Sequence, residues 1–379
     1  MTEKLYYKDQ YIKEFRANVI SCGKNGDNFE VILDKTAFFP EGGGQPGDRG
    51  IIGNAKVIDT VEKSGEIIHI CEGEVSGEVN CEIDWNFRFL NMQQHTGEHI
   101  FSGIMHAETG FDNVGFHMSE DDVTVDFNGP VSSETLDIVE KRANESIWKN
   151  IAVEEILPAD DELENYDYRS KKELTGQVRL IKIEGVDLCA CCGTHTARTG
   201  EVGTVKAVNM MKYKQGVRIW LKIGAHALAD YREKNESVYD ISAQLCAKTG
   251  EVADAVTKLK DRMSREHLKY NELKKKYYEL KIESSDAGNA VIFDDSGSAD
   301  DARMIADMLA DKFGTGIAFS GDDENGYKYA VVVRDGDARE KGKAINAALN
   351  GRGGGKPEMV TGTVAASEAE IKAFFGIDN

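Results

Sequence analysis

Residues 189 to 195 read CACCGTH and pack three cysteines and a histidine into seven positions. A second stretch, HTGEH at 95 to 99, holds His95 and His99 four apart. In a helix that spacing puts both imidazoles on one face, one turn apart, where they reach a single ion. Thiolate sulfur with imidazole nitrogen is a zinc donor set, and a catalytic site of this kind keeps one position open for water or substrate. Cys191 and His195 are spaced CxxxH, Cys192 and His195 CxxH, and Cys189 and Cys192 CxxC. Spacing alone does not choose the thiol. A separate closed zinc site and plain buried cysteines are the competing readings. The pair lacks the glutamate of an HExxH motif, though Glu98 is close by; no side chain stands out as a general base, and Glu98 is one candidate.

A third stretch, KTAFFPEGGGQPGDRG at 35 to 50, carries Gly42, Gly43 and Gly44 in a row. Such a run exposes backbone N–H groups and lets a ligand approach closely. No GK[ST] follows, so it is not a P-loop. GxGxxG is absent and no helix follows, so it is not a dinucleotide fingerprint. On glycine content alone it reads as a hairpin with a wide turn held by Pro40 and Pro46.

These stretches need elements to hold them. Residues 1 to 85 alternate with period 2 in ANVISC, NFEVILD and EIIHICEG, with turn residues between, and predict a small β-barrel-like domain. From 86 to 227 the types mix. RFLNMQQHTGEHIFSGIMHAETG has helical apolar spacing and ends at Gly110, so His95 and His99 sit in a helix. SSETLDIVEKRANESIWKN reads as a second helix. GQVRLIKIEGVDLCAC and GTVKAVNMM read as strands on either side of the cysteines. From 228 to 284 apolar residues recur every three or four positions, including Val256, Leu259, Met263, Tyr270, Leu273, Tyr277 and Leu280. This predicts a long helix or a broken helical hairpin with a coiled-coil-like seam, interrupted at Thr249 and Glu266 and weakened at Gly250. It packs on its own domain or pairs two chains. From 285 to 379 strands and helices alternate, which predicts a separate α/β domain. The fold class expected is α+β, in four segments.

Length and charge bound the rest. A chain of 379 residues exceeds one ordinary core, so two or three domains are expected. No stretch has the ~18 apolar residues that cross a bilayer, and the charged N-terminus lacks an apolar signal region. Seven cysteines without such a signal read as reduced cytoplasmic thiols. The net charge of -20 repels nucleic acid at long range. Any nucleic-acid partner therefore meets a local basic patch.

Taken together, TAFFPEGGGQPGDRG, MQQHTGEH, VGFH and CACCGTHTARTGEVG follow the order and spacing of the editing domain of alanyl-tRNA synthetases. GRGGGKPEMVTG at 351 to 362 resembles the glycine-rich core of the DHHA1 domain that follows it there. The chain resembles a free-standing alanyl-tRNA editing protein of the AlaX group, in its long form. One difference is local: the family usually has CGGTH where this chain has CCGTH.

The resemblance implies an α/β editing domain and a C-terminal DHHA1-like tRNA-binding domain, with no aminoacylation domain. It implies one Zn²⁺ per chain on His95, His99, Cys191 and His195. It implies hydrolysis, without ATP, of mischarged Ser-tRNA(Ala) or Gly-tRNA(Ala), sparing Ala-tRNA(Ala). Gly42, Gly43 and Gly44 would hold the 3′-adenosine or the oxyanion. Gln45 would bond a terminal hydroxyl or the water, and Thr36 would recognise the serine hydroxyl. Candidate phosphate contacts are Arg218, Lys212 and Lys214, Lys269, Lys274, Lys275 and Lys276 on the linker, and Arg352 and Lys356 in the C-terminal loop. A homodimer through 228 to 284 is expected. The alternatives are a tRNA-binding dimer without catalysis and an editor of another tRNA, such as Ser-tRNA(Thr). A DHH-type phosphoesterase ranks low because the chain has no Asp-His-His triplet.

Overall fold

The computed structural model describes residues 2–119, 122–159, 161–170, 178–284 and 291–377. The start of the strand expected from Gly176 lies outside these residues. The chain divides into two compact units, Met1–Ile241 and Ser242–Asn379. Among the described residues no helix is long and apolar enough to cross a membrane.

The first unit begins with six antiparallel strands: β1 (Glu14–Asn25), β2 (Asn28–Leu33), β3 (Gly50–Ile52), β4 (Ala55–Lys63), β5 (Glu66–Cys71) and β6 (Glu78–Ile83). They close a barrel in the order β1-β2-β5-β4-β3-β6, sealed where Glu14 pairs with Glu82. Alternate residues, among them Val31, Leu33, Ile52, Val57 and Ile83, point inward with Phe38 to fill it. Closure leaves no free edge.

One polar pair sits inside this apolar interior. His69 Nδ1–H donates to the Val31 carbonyl at 2.9 Å, so its unprotonated Nε2 accepts from the Thr36 hydroxyl at 2.9 Å. Burial lowers the His69 pKa from 6.5 to about 4. The unfolded chain therefore binds a proton that the folded chain refuses between those values, and stability falls as pH drops through them. Between pH 7 and pH 5 the loss from this residue is about 2 kcal/mol. His69→Gln should flatten the urea-midpoint profile over that range by this amount. An unchanged slope would show that His69 is not held neutral.

After the barrel comes α1 (Trp85–Thr109), capped by Asp84 accepting from the Phe87 N–H and ended by Gly110 at φ 71°. Next follow β7 (Asn113–Met118), β8 (Val123–Phe127), α2 (Ser133–Trp148), β9 (Val153–Ile156), β10 (Leu180–Ile183), β11 (Asp187–Ala190), β12 (Val205–Tyr213) and β13 (Gly216–Ile223). They form one sheet ordered β12-β13-β8-β7 and a second ordered β9-β10-β11. Ile100, Phe101, Ile104 and Met105 of α1 pack with Val125, Ile219 and Leu221 of the first sheet and with Val139 and Ile147 of α2. Two glycines let the helix come close. A Cβ on Gly97 would lie 2.6 Å from Ile223, and one on Gly103 would lie 2.5 Å from the Val186 carbonyl.

Helix α3 (Ala225–Leu245) runs past the end of this unit, and α4 (Val252–Glu283) belongs to the second. The helical run is broken between them, where Cys246 takes φ 51°. The second unit continues with β14 (Val291–Asp294), α5 (Ala299–Phe313), β15 (Thr315–Asp322), β16 (Gly326–Val333), α6 (Ala338–Ala348), β17 (Arg352–Lys356), β18 (Met359–Val364) and α7 (Glu368–Phe375). Its sheet order is β14-β15-β16-β18-β17, with β14 and β15 parallel. Tyr278 and Ile282 of α4 are buried among Ala302, Ile305 and Leu309 of α5. The seam positions Met263, Tyr270, Leu273, Tyr277 and Leu280 are each more than half exposed.

Candidate metal centre

His95 and His99 lie on one face of α1, as their spacing predicts. Cys191 and His195 come from the turn that leaves β11. One ligand atom from each of the four lies within 4.8 Å of the others. Cys191 Sγ is 3.3 Å from His95 Nε2. Donors in a tetrahedral zinc site, with bonds of about 2.0–2.3 Å, stand roughly 3.3–3.7 Å apart, so the group needs little movement to close on one ion.

Partners behind the rings set which nitrogen faces inward. His95 Nδ1–H donates to Gln45 Oε1 at 3.0 Å, and His99 Nδ1–H donates to Asp187 Oδ2 at 2.9 Å. Asp187 Oδ1 is held in turn by Arg169 Nε at 2.8 Å. Each histidine thus turns Nε2 toward the centre, as metal-bound histidines do. His99 Nε2 and both ring nitrogens of His195 are buried without a hydrogen-bond partner. Buried polar atoms left unpaired are rare in folded proteins, and here they converge with a thiol. The donor set fits a zinc ion.

The electrostatics agree. Burial opposes ionisation of Cys191, but the His95 and His195 imidazoles pull its thiol well below the usual value. Gly193 N–H also points at this sulfur, at 3.4 Å. Burial lowers His195 to about 3, so its ring is neutral and able to ligate. His99 is the exception: burial works against its protonation, yet Asp187 and Cys191 raise its pKa to about 9, so a metal must displace a proton from this ring to bind it.

The structure separates the three thiols that spacing left open. Cys191 joins the group. Cys189 is fully buried and groups with His99 and Asp187 instead of with His95, Cys191 and His195. Cys192 is exposed, with its sulfur against the glycine loop. Gly193 is required beside them: a Cβ there would lie 2.2 Å from His95 Cε1.

His95, His99 and Cys191 of the cluster line a cavity of about 600 Å³ whose walls include Tyr7, Gly43, Gly44, Phe116, Arg179 and Cys192. Gly43 and Gly44 take φ of +61° and +84°, and a Cβ on Gly44 would strike Phe116 at 2.5 Å. Gly42 N–H donates to the Gln45 carbonyl. Among the described residues the N–H groups of Gly43 and Gly44 make no hydrogen bond. Arg179 grips the ligand turn, donating to the Cys191 and Gly193 carbonyls at 3.0 and 2.9 Å and to Glu155 at 2.6 Å.

The other site candidates sit elsewhere. Gln45 is fully buried, with Oε1 taking the His95 and Thr194 N–H groups and Nε2 donating to Thr194 Oγ1. Its amide faces the ligands, not the cavity. Glu98 is buried against Ser102 and Asn113, each at 2.6 Å, and does not line the cavity. Thr36 does not line it either; its hydroxyl lies in the barrel, against His69 and the Phe38 N–H. Arg218 forms a two-bond pair with Asp126 and stacks 4.0 Å over Tyr213. Arg352 and Lys356 lie in the second unit, at the two ends of exposed β17. Asp187, Arg169 and Arg179 escaped sequence reasoning. The one available signal was an acidic residue, Asp187, two positions before Cys189 in an apolar strand, where alternation puts both on one face.

Comparison with known proteins covers the same segments. Residues 3–87 match the family described as tRNA synthetases class II (A). Residues 178–219 match the threonyl and alanyl tRNA synthetase second additional domain, and residues 287–375 match the DHHA1 domain. The chain is 31% identical to the alanyl-tRNA editing protein AlaX-L of Pyrococcus horikoshii, over 98% of this chain and 96% of that protein. It is 34% identical to an alanyl-tRNA editing protein of Xenopus laevis, over 55% of each. It is also 33% identical to the alanine–tRNA ligase of Ignicoccus hospitalis, over 64% of this chain but 28% of the ligase. Near end-to-end similarity to AlaX-L, with the DHHA1 segment included, makes the chain a member of the alanyl-tRNA editing proteins in their long form.

Proposed function

We propose that the protein is a zinc-dependent deacylase that removes serine or glycine from mischarged tRNA(Ala) and spares Ala-tRNA(Ala). The observation that carries this reading is the cluster of His95, His99, Cys191 and His195, of which His95, His99 and Cys191 line a cavity whose wall includes Gly43 and Gly44. The reaction is ester hydrolysis. Water adds to the carbonyl carbon, the bond to the 3′-terminal ribose oxygen breaks, and that oxygen takes a proton.

Zinc held by these side chains would polarise the carbonyl or lower the pKa of the attacking water by taking on a fifth ligand during the reaction. Gly43 and Gly44 offer backbone N–H groups to the oxygen that gains negative charge. Gln45 and Asp187 keep His95 and His99 in the tautomer that ligates. Arg179 holds the Cys191–Gly193 turn at its depth. Gln45 thus acts through His95, and Glu98 through the packing of α1 on Asn113. Thr36 acts through the wall of the barrel, with its hydroxyl hydrogen committed to His69.

A deacylation panel tests the reading: Ser-, Gly- and Ala-tRNA(Ala) and Ser-tRNA(Thr), each with and without chelator. Release of serine or glycine from tRNA(Ala), lost on chelation, is expected. Release from no tRNA would overturn it, and release from Ser-tRNA(Thr) alone would reassign the substrate.

The division of labour is part of the proposal. Residues 86–227 hold the chemistry on the 1–85 barrel, 228–284 form the helical segment, and 285–379 supply tRNA affinity. Edge strand β17 supports the last point. Cβ atoms on Gly353 and Gly355 would lie 2.5 and 2.2 Å from backbone oxygens of β18, so packing explains those glycines. Gly354 has nothing within 4 Å of its Cβ position, and packing does not explain it. Gly354→Ala should leave stability equal or higher, since glycine in a strand costs roughly 0.5–1 kcal/mol. It should weaken tRNA binding about fivefold by holding the backbone off the RNA, a loss of ~1 kcal/mol. Equal affinity in a filter-binding titration would remove β17 from the interface.

The exposed seam of α4 supports a homodimer. Basic and acidic residues, among them Lys260, Asp261, Lys269, Glu272, Lys276 and Glu279, interleave along the same helix. Light scattering should show a dimer that persists in moderate salt, because apolar contact at the seam is not screened. A monomer at micromolar concentration in all salts would refute it.

A further inference from the structure

The first unit holds a second hollow, of about 340 Å³, that the chemistry above does not use. Two chain segments line both cavities. The metal-floored one takes Gly44 and Phe116, and the second takes Pro46 and Met118, two residues farther along each segment. The rest of its lining comes from Arg49, Ser119 and α1, where Phe87, Leu90, Asn91 and Gln94 precede the ligand His95. Two polar atoms in this lining are unusual. Asn91 Nδ2 and Gln94 Oε1 belong to side chains 2% and 1% exposed, and neither has a hydrogen-bond partner. Buried amides left open are rare. A donor and an acceptor left open three residues apart on α1, in a lining shared with Leu90 and Met118, offer a recognition edge.

The rim adds a stacking surface. The Arg49 guanidinium lies 4.4 Å over the Phe87 ring, a cation–aromatic pair on which a flat ring can stack. A nucleobase is flat, apolar on its faces, and carries a donor beside an acceptor on its pairing edge. Single-stranded RNA is read in this way, by stacking and by hydrogen bonds to that edge. We infer that the hollow seats a base of the tRNA 3′ single strand, next to the nucleotide whose ribose carries the ester. Asn91 and Gln94 bond its pairing edge, and the Arg49–Phe87 pair bounds its face. The inference rests on the tRNA reading above. It assigns the hollow a substrate-positioning role, so its loss should raise KM more than it lowers kcat.

The test uses the full chain and the unacylated trinucleotide CCA as probe. Asn91→Leu and Gln94→Leu remove the open polar atoms and keep the bulk. CCA affinity should fall about tenfold, as expected for losing base contacts. KM for a seryl minihelix should rise by a similar factor, with kcat within about twofold. The melting temperature should hold or rise, because no open amide remains. Unchanged CCA affinity and KM would overturn the proposal and leave the hollow to ordered water. If the leucine variants do not fold, Leu90→Trp narrows the hollow with both amides in place, and unchanged binding there overturns it equally. Binding of CCA needs no hydrolysis, which separates the two readings. A wild-type protein that binds CCA through these residues yet deacylates nothing defeats the enzymatic reading alone. One that deacylates but binds CCA equally well in every variant defeats this one alone.

Discussion

Cys191→Ser should yield a folded protein that retains under one-tenth of its zinc and deacylates Ser-tRNA(Ala) about 10³-fold more slowly. The size follows from the role. A bound metal supplies several kcal/mol of transition-state stabilisation, and ~4 kcal/mol corresponds to about 10³ in rate. Serine keeps the shape but offers a hydroxyl with little tendency to ionise, whereas the Cys191 thiol is drawn toward thiolate by His95 and His195. The neighbouring cysteines give the contrast. Cys192 is exposed and Cys189 groups with His99 and Asp187 outside the four-donor cluster, so Cys192→Ser and Cys189→Ser should each leave zinc content near one per chain. Asp187→Asn should fall between, at roughly 10- to 100-fold, the usual effect of removing a residue that orients a ligand. Zinc content by mass spectrometry and single-turnover deacylation decide all four variants. Full activity in Cys191→Ser with zinc retained would move the thiol ligand elsewhere.

How legible these features are depends on how far apart in sequence the partners lie. His95 and His99 share one helix, so their spacing alone puts them on one face. The seam of α4 is legible for the same reason, since periodicity is local. The barrel is legible as strands but not as an order. β5 sits between β2 and β4, a pairing that depends on closure rather than on neighbouring residues. Gln45 shows the limit most clearly. In sequence it follows three glycines, which suggests a loop open to substrate. In the fold it turns inward to His95, 50 positions away, and to Thr194, 149 positions away. Thr36 likewise meets His69 only because the barrel closes between them. Asp187 carries no mark of its role except its acid in an apolar strand, and the arginine that holds it, Arg169, is 18 residues upstream. The metal donors were visible as a chemical type; the partners that orient them were visible only in three dimensions.

Arg88→Met should destabilise the first unit by about 3–5 kcal/mol, the usual result of removing one partner from a buried ion pair. Arg88 and Asp48 are both fully buried and paired side on, with Arg88 Nε 2.9 and 2.8 Å from the two carboxylate oxygens. Each also ties down backbone. Arg88 donates to the Gln10 carbonyl at 2.9 Å and the Ala37 carbonyl at 2.6 Å, and Asp48 Oδ2 accepts from the Phe39 N–H at 2.6 Å. The pair therefore clamps both ends of the segment that carries the glycine loop onto the first turn of the helix that carries His95 and His99. Methionine fills the stem of the arginine but leaves Asp48 charged, buried and without its main partner. Combining Arg88→Met with Asp48→Leu removes the stranded charge, and paired apolar replacements of buried ion pairs are often neutral. The double variant should recover most of the loss in a urea titration yet still give up zinc more readily, because three backbone groups lose their anchor. A single variant as stable as wild type would show that the clamp adds nothing. A double variant no better than the single would show that the backbone bonds, not the stranded charge, carry the cost.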